Sequence, residues 1–239
     1  MEKKKAVLHI KKEADFHYDE AIKALRTNIQ FCGLNVRMIM ITSTVPEEGK
    51  SNISLEIAAS LAQIGKKVLL IDGDIRRSTF ASKYHVDQMV PGLSQYLSGQ
   101  CQLEEMICQT ETDGMDIIFS GPYAPNPAEL LEEPALDKLL LWCRENYDYV
   151  IVDTPPINSV IDGAVIAPKC DGVILVTASG AVSYKLVQKA KSQLDKTGCR
   201  ILGVVLNKVD TGKGGYYYNK YGGYYKRYGG YYGKDQEGK

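Results

Sequence analysis

A Gly-Lys-Ser triplet follows an apolar stretch and opens a segment whose apolar residues have helical spacing. It consists of Gly49, Lys50 and Ser51, and the apolar stretch before it covers Met38 to Thr42. Backbone N–H groups at a helix N-terminus, a lysine and a hydroxyl are the groups that hold nucleotide phosphates and Mg²⁺ in a phosphate-binding loop. The full pattern of that loop begins with glycine, where this chain has Thr44. The match is therefore partial, and a chance Gly-Lys-Ser after a strand is the alternative.

Acidic residues follow two further apolar stretches. The sequence DGDIR, which supplies Asp72, Asp74 and Arg76, comes directly after one of them, and DTPP begins at Asp153 directly after the other. Each acid taken alone is explained as well by a turn or a helix cap. Three such motifs after three predicted strands instead indicate one site, because open α/β folds bind ligands at the carboxyl edge of the sheet. The chemistry predicted there is the binding of nucleotide phosphates.

The elements that must position these residues are visible as apolar patterns. Six short, β-branched runs predict strands at 38–42, 67–71, 115–119, 149–152, 172–177 and 201–206. Three longer stretches have the apolar spacing of helices, at 51–64, 127–145 and 183–196. The alternation predicts an α/β fold with a mostly parallel, doubly wound sheet and helices on both faces. We assign this domain to residues 36–210.

Two segments lie outside the alternation. Residues 1–35 contain a predicted surface helix at 18–31, in which Glu20, Lys23 and Arg26 recur every three residues on one face. Residues 211–239 have no aliphatic side chain that could build a core, so this tail is predicted to be disordered. The tail contains nine tyrosines, at Tyr216, Tyr217, Tyr218, Tyr221, Tyr224, Tyr225, Tyr228, Tyr231 and Tyr232.

Composition narrows the class of protein. The 29 basic and 29 acidic residues cancel, so the whole molecule has no electrostatic attraction to nucleic acid or anionic lipid, and we expect no nucleic-acid partner. Six scattered cysteines without CxxC pairs are typical of a reducing cytosol. No apolar run approaches the ~18 residues of a membrane span. These features predict a cytoplasmic protein that reaches a membrane only through a partner.

Taken together, the motifs around the Gly-Lys-Ser loop resemble the bacterial tyrosine kinase family, which is related to P-loop ATPases of the ParA and MinD type. The segment EAIKALRTN at 20–28 looks like the N-terminal helix of that family, and GPYAPNPAELL at 121–131 resembles its Pro-Asn-Pro loop. With the tyrosine-rich tail, the resemblance covers nearly the whole chain. It implies a P-loop fold and an ATP- and Mg²⁺-dependent protein-tyrosine kinase that phosphorylates its own tail tyrosines.

The resemblance also implies site residues. The expected nucleotide-binding residues are Thr44, Val45, Pro46, Glu47, Glu48, Gly49, Lys50, Ser51, Asn52 and Asn207. The expected ligands of Mg²⁺ are Ser51, Asp72, Asp74 and Asp153. The expected catalytic residues are Lys50, Asp72, Asp74, Arg76 and Asp153. Because a phenol has a pKa near 10, its attack benefits from a carboxylate that accepts the proton, and Asp72 is the first candidate and Asp74 the second. Arg76 either stabilises transferred charge or holds the acidic loop.

Partners follow from the same resemblance. It implies a ring-like homo-oligomer assembled through Glu20, Lys23 and Arg26, with the tail phosphorylated mainly between subunits. It further implies a membrane-anchored activator of the polysaccharide co-polymerase type, which recruits the chain to the inner face of the membrane. The other implied partners are a cognate phosphotyrosine phosphatase and further protein substrates. The whole system would regulate capsular or exopolysaccharide synthesis.

The sequence departs from the family at two positions. Lys23 stands where the helix motif has arginine, so it lacks the planar fork for bidentate pairing. Glu47 stands where the loop often has glycine. If the loop has positive φ at that position, glutamate costs strain that glycine avoids.

Features of the sequence are also compatible with three other functions. A switch ATPase of the MinD or ParA type, without phosphotransfer to protein, would carry a second lysine where this chain has Val45. A GTPase is suggested by Asn207-Lys208-Val209-Asp210, which matches the NKxD base-reading motif. A Gly/Tyr-rich tail also binds single-stranded nucleic acid or self-associates in other proteins.

Overall fold

An eight-stranded, mostly parallel sheet forms the centre of the part of the chain that the structure describes. The structure is a computed structural model that describes residues 4–5, 16–78, 80 and 90–210. The strands are β1 (Lys4–Lys5), β2 (Met38–Ser43), β3 (Val68–Asp72), β4 (Ile107–Gln109), β5 (Met115–Ile118), β6 (Tyr149–Asp153), β7 (Gly172–Ala178) and β8 (Ile201–Asn207). Their order across the sheet is β1-β4-β5-β3-β6-β2-β7-β8, and only the β4–β5 pair is antiparallel. The predicted α/β fold is confirmed.

Helices cover both faces of this sheet. They are α1 (Phe16–Phe31), α2 (Lys50–Ala62), α3 (Leu93–Leu97), α4 (Leu103–Met106), α5 (Pro127–Glu132), α6 (Pro134–Asn146), α7 (Asp162–Ile166) and α8 (Tyr184–Lys196), with a 3₁₀ turn at Ala167–Lys169. The prediction of one helix over 127–145 is wrong. Glu133 is extended, with φ −62 and ψ 143, because the proline ring of Pro134 disfavours helical geometry in the preceding residue.

Side chains of the central strands alternate between two apolar layers. Met38 and Met40 of β2 face one layer, and Ile39 and Ile41 face the other. Helices α6 and α8 contribute to the first layer, and α1 and α2 to the second. Every residue of β2 and β3 is buried. Coverage on both faces explains why these strands are continuous apolar runs in the sequence.

The N-terminal helix packs against the body of the same chain. Ile22 and Ile29 of α1 are buried in the layer that contains Leu55 and Leu61 of α2. The predicted surface helix is therefore present, with one face in the core. No helix in the described part of the chain is long and apolar enough to cross a bilayer.

The carboxyl ends of the parallel strands bring the predicted motifs to one edge. Strand β2 leads into the loop before α2, β3 ends at Asp72 and β6 ends at Asp153. In the β3–β6 pair, Asp72 is the direct register partner of Asp153. Strands β7 and β8 end side by side, with Ala178 opposite Asn207. The predicted convergence of these motifs at one sheet edge is thus present in the fold.

Candidate nucleotide-binding site

The loop between β2 and α2 has the backbone of a phosphate-binding turn. Gly49 precedes α2 with φ 88, a left-handed conformation that favours glycine. A Cβ atom at Gly49 would lie 2.3 Å from Nδ2 of Asn207, so any other residue would also displace the Asn207 side chain. Lys50 and Ser51 are the first two residues of α2, where the helix N-terminus presents its free N–H groups.

Asp153 gathers the polar side chains of the first turn of α2. Its Oδ2 atom accepts hydrogen bonds from Lys50 Nζ at 2.9 Å and from Ser51 Oγ at 2.7 Å. Its Oδ1 atom lies 2.8 Å from Ser54 Oγ. The Asp153 side chain is buried, so these donors compensate the desolvation of its charge. The motifs at positions 49–51 and 153 therefore form one site.

Ser54 is a contact that the sequence analysis missed. It lies three residues after Ser51, which places it one helical turn further along the same face of α2. Its hydroxyl is also 2.9 Å from the carbonyl oxygen of Lys50. The spacing alone could have suggested it, because a buried serine on that face needs a polar partner.

Asp72 is buried beside Asp153 at the end of β3. Ser78 donates a hydrogen bond to Asp72 Oδ2, the amide of Ser120 lies 3.3 Å from the same oxygen, and the amide of Asp74 lies 3.3 Å from Oδ1. Burial raises the pKa of Asp72 to about 7, and the charge of Asp153 adds to this against the lowering effect of Ser78. In this environment Asp72 holds a proton far more readily than an exposed aspartate does.

The remaining acidic-loop residues take different positions. Asp74 is partly buried and accepts the amide of Arg77 at 2.9 Å. Arg76 makes a bidentate pair with Asp162, in which Nε lies 2.8 Å from Oδ2 and Nη2 2.8 Å from Oδ1. This pair raises the pKa of Arg76 and ties the acidic loop to α7. Of the two roles considered for Arg76, the contact favours holding the loop. Nothing in the sequence pattern identified Asp162.

Residues 44–48 and Asn207 complete the predicted nucleotide-binding set. Glu47 has φ 65, the left-handed conformation in which glutamate costs strain. Asn207 Nδ2 donates to the carbonyl of Glu48 at 2.9 Å. Thr44 Oγ1 is buried and has no hydrogen-bond partner among the described residues. The other members of the set differ in exposure: Val45 is partly buried, and Pro46 and Asn52 are exposed.

These groups fit a nucleotide with a divalent cation. The free helix N-terminus, Lys50 and the unpaired Thr44 hydroxyl suit phosphate oxygens, and Ser51 with the two buried carboxylates suits Mg²⁺. In residues 16–78, 80 and 90–210, no three His, Cys, Asp or Glu side chains form a metal-binding group. Because Mg²⁺ in such sites takes one or two carboxylates and completes its shell with phosphates and water, the donor set is sufficient.

The predicted subunit-contact residues lie on α1. Glu20 and Lys23 form an exposed ion pair at 2.7 Å. Arg26 Nη1 donates to the carbonyl and the hydroxyl of Ser60, both at 3.1 Å, within the same chain. The predicted phosphate acceptors at 216–232 lie outside the described residues.

The fold and this site together define a P-loop nucleotide-binding protein. A family model described as "AAA domain" matches residues 36–197. The tyrosine-protein kinase CpsD of Streptococcus agalactiae is 42% identical over 192 residues, which cover 80% of this chain and 84% of that protein. The kinase domain of the Escherichia coli tyrosine kinase ETK is 38% identical with a TM-score of 0.76, over 79% of this chain and 74% of that one.

A more distant likeness concerns the fold alone. The septum site-determining protein MinD of Pyrococcus horikoshii, solved as a complex with Mg-ADP, is 24% identical with a TM-score of 0.63, over 74% of this chain and 72% of that one. The two tyrosine kinases, in contrast, are similar enough in sequence to show that they and this chain belong to one family. The chain belongs to the bacterial tyrosine-protein kinase family, as the sequence motifs predicted.

Proposed function

We propose that this chain is an ATP- and Mg²⁺-dependent protein-tyrosine kinase whose main phosphate acceptors are the tyrosines of its own C-terminal segment. The observation that carries the proposal is the convergence of Lys50, Ser51 and Ser54 on Asp153, beside Asp72. A relative that is 42% identical to this chain is named a tyrosine-protein kinase, which supports kinase activity over a switch ATPase.

Each group at the site has a part in phosphoryl transfer. The amides at the start of α2 bind phosphate oxygens, and Lys50 leaves Asp153 to neutralise the outer phosphates. Ser51 and Asp153 would hold the cation, assisted by Asp74. ATP and Mg²⁺, when bound, supply the transferable phosphoryl group and the charge that activates it. Asp72 accepts the proton of the tyrosine hydroxyl, and Arg76 keeps the acidic loop in place through Asp162.

The partners belong to the same proposal. The chain assembles into a ring-like homo-oligomer and phosphorylates tails mainly between subunits. A membrane-anchored activator recruits it to the inner face of the membrane, and a phosphotyrosine phosphatase reverses the modification. The system regulates capsular or exopolysaccharide synthesis. These statements rest on the family motifs at 20–28 and 121–131 and on the tyrosine-rich C-terminus.

The test is tyrosine phosphorylation by purified protein with ATP and Mg²⁺, in wild type and in Lys50→Met. We expect labelling of the C-terminal segment to fall by at least about 100-fold in Lys50→Met, because electrostatic stabilisation at the phosphates is lost. Lys189→Met, an exposed lysine on α8, is the matched control and should label normally. A folded Lys50→Met protein that still labels its tyrosines would refute the proposal. ATP hydrolysis by wild type without phosphotyrosine would support the switch ATPase instead.

A further inference from the structure

Glu48 is a charged residue buried inside the phosphate loop. The residue is only 1% exposed, and its carboxylate accepts three hydrogen bonds within the protein. Oε2 accepts the amide of Val45 at 2.8 Å, and Oε1 accepts the hydroxyl of Thr177 at 2.9 Å and the amide of Ala178 at 3.0 Å. A buried carboxylate persists only where donors of this kind replace water. Glu48 therefore joins the first part of the loop to the end of β7.

The end of β8 holds the same loop from its backbone. Asn207 Nδ2 donates to the carbonyl of Glu48 at 2.9 Å, and Lys208 Nζ donates to the carbonyl of Glu47 at 2.6 Å. Lys208 itself has a positive φ of 54, so this junction is strained on both sides. The motif that resembles a base-reading NKxD sequence thus uses its first two side chains to hold the loop.

These contacts surround the residue where the loop departs from glycine. Glu47 is in the left-handed region, and strain of that kind persists only when the surroundings fix the backbone from several sides. Five hydrogen bonds do so here, from Val45, Thr177, Ala178, Asn207 and Lys208. The loop keeps a glycine-type conformation without glycine because it is held at both neighbouring strands.

We propose that Glu48 is a positioning residue, which offsets the strain at Glu47 and holds the loop in the shape that binds phosphate. The proposal deepens the proposed function, since it assumes that the loop binds a nucleotide. Glutamine cannot replace Glu48, because an amide has one accepting oxygen and one donating nitrogen. Whichever way it turns, one N–H of the chain faces another donor.

The competing explanation is simple electrostatics, and it predicts the opposite sign. A carboxylate close to phosphates repels them, so removing any loop carboxylate should tighten nucleotide binding. Positioning predicts that Glu48→Gln weakens ATP binding by about 10- to 100-fold, the cost of an unmet buried donor. Glu47→Gln, in the same loop, loses its charge without touching the hydrogen bonds of Glu48, and should tighten binding by about twofold.

The measurements are the dissociation constant for a fluorescent ATP analogue and the steady-state kinetics of tyrosine phosphorylation. With Glu48→Gln we expect KM for ATP to rise in step with the dissociation constant, and kcat to fall by less than about threefold, because Lys50 and Asp153 are untouched. Equal or tighter binding in Glu48→Gln would overturn the proposal. If that variant does not fold, Thr177→Val removes one of the three donors and should weaken binding by about threefold.

Rescue tests the link to Glu47. Glycine adopts the positive φ without strain, so Glu47→Gly should improve binding, and by more in the Glu48→Gln background than in wild type. Recovery of about fivefold in the double variant is expected, from the typical cost of a left-handed non-glycine residue. The same gain in both backgrounds would mean that the two positions act independently, and would overturn the link.

A measurement without nucleotide separates this inference from the proposed function. Hydrogen exchange of the Val45 amide, followed by NMR, should accelerate at least about tenfold in Glu48→Gln and stay slow in Glu47→Gln. Wild type that binds no nucleotide would refute the proposed function, while this exchange result would still decide the role of Glu48. Unchanged exchange in Glu48→Gln would overturn the positioning role.

Discussion

At the scale of single residues, the site is organised by one carboxylate with donors on both of its oxygens. Lys50 and Ser51 occupy Oδ2 of Asp153, and Ser54 lies at Oδ1. Lys50 and Ser51 would exchange this contact for phosphate and cation. Ser54 is buried within α2, and donation of its single hydroxyl proton to Oδ1 would keep Asp153 oriented throughout.

We therefore expect Ser54→Ala to affect both stability and turnover. It should lower the free energy of unfolding by about 1–2 kcal/mol, since a buried carboxylate oxygen loses a donor, and it should slow tyrosine phosphorylation about tenfold. Urea unfolding and the kinase assay measure the two effects. Tyr147→Phe is the control, because it removes a buried hydroxyl that donates to another buried carboxylate, Asp116, away from Asp153, and should lower stability alone. Full activity in Ser54→Ala would exclude a positioning role.

At the scale of elements, the amino ends of the strands are fixed by a second acidic residue. Asp171, just before β7, accepts the amides of Arg37 at 2.9 Å and Met38 at 2.7 Å, at the start of β2. It also pairs with Arg144 of α6 at 2.9 Å. Burial alone would raise the pKa of Asp171, but Arg144 and the two amides outweigh it and hold the pKa below its usual value. One side chain thus joins β2, β7 and α6.

This contact predicts a pH-dependent loss of stability. Asp171→Asn should lower the free energy of unfolding by about 1–2 kcal/mol at pH 7, a value reduced by partial exposure to solvent. Because the folded-state pKa is depressed, the stabilisation is present above the unfolded pKa near 4 and disappears as the pH falls through the lower folded value. The difference between wild type and variant in urea unfolding should therefore shrink below about pH 4.

An exposed carboxylate on α6, the helix that carries Arg144, provides the control. Asp137→Asn removes an exposed partner of Lys169 and should cost less than about 0.5 kcal/mol at any pH. If the difference in free energy of unfolding between wild type and Asp171→Asn stays constant from pH 7 downward, the charge of Asp171 is not the stabilising feature.

At the scale of the whole molecule, the fold places the end of β8, which precedes the tail in the sequence, beside the phosphate loop. Asn207 ends β8 and contacts Glu48, and the tyrosine-rich segment follows from residue 211. Geometry alone therefore does not forbid reaction within one chain. The proposed transfer between subunits would involve α1, where Arg26 is bonded to Ser60 and Glu20 pairs with Lys23 on the exposed side.

The prediction that the tail is phosphorylated between subunits is tested by mixing two proteins. One is the full chain with Lys50→Met, and the other is an active chain truncated after Thr211. We expect the tail of the first to be labelled at a rate that rises with protein concentration, and labelling to fall at least about tenfold when Arg26→Ala is introduced. Gln30→Ala, an exposed change on the same helix, should have no effect. An unlabelled mixture, with wild type reacting at a concentration-independent rate, would mean that transfer is internal.

Local sequence patterns were enough to predict much of this protein. Apolar runs identified six of the eight described strands, because central strands buried on both faces leave continuous apolar stretches and the edge strand β8 is apolar as well, although it is partly exposed. Gly49-Lys50-Ser51 and the acids at 72 and 153 stood directly after such strands, so the parallel sheet had to bring them to one edge. Their types and spacing also carried the family resemblance. Strands β1 and β4 and the short helices α3, α4 and α7 were missed because two to five residues hold no readable period.

Only the tertiary structure decided which side chains meet. Ser54 contacts a residue 99 positions away, Arg76 one 86 positions away and Glu48 one 129 positions away. Such pairs depend on strand order and register, which periodicity does not encode. Sequence could therefore state that glutamate at position 47 would be strained if φ were positive, but the tertiary fold decided both the φ of 65 and the five hydrogen bonds around it. Four of their donors lie in or directly after strands β7 and β8, which the fold places beside the loop, and the fifth is the amide of Val45.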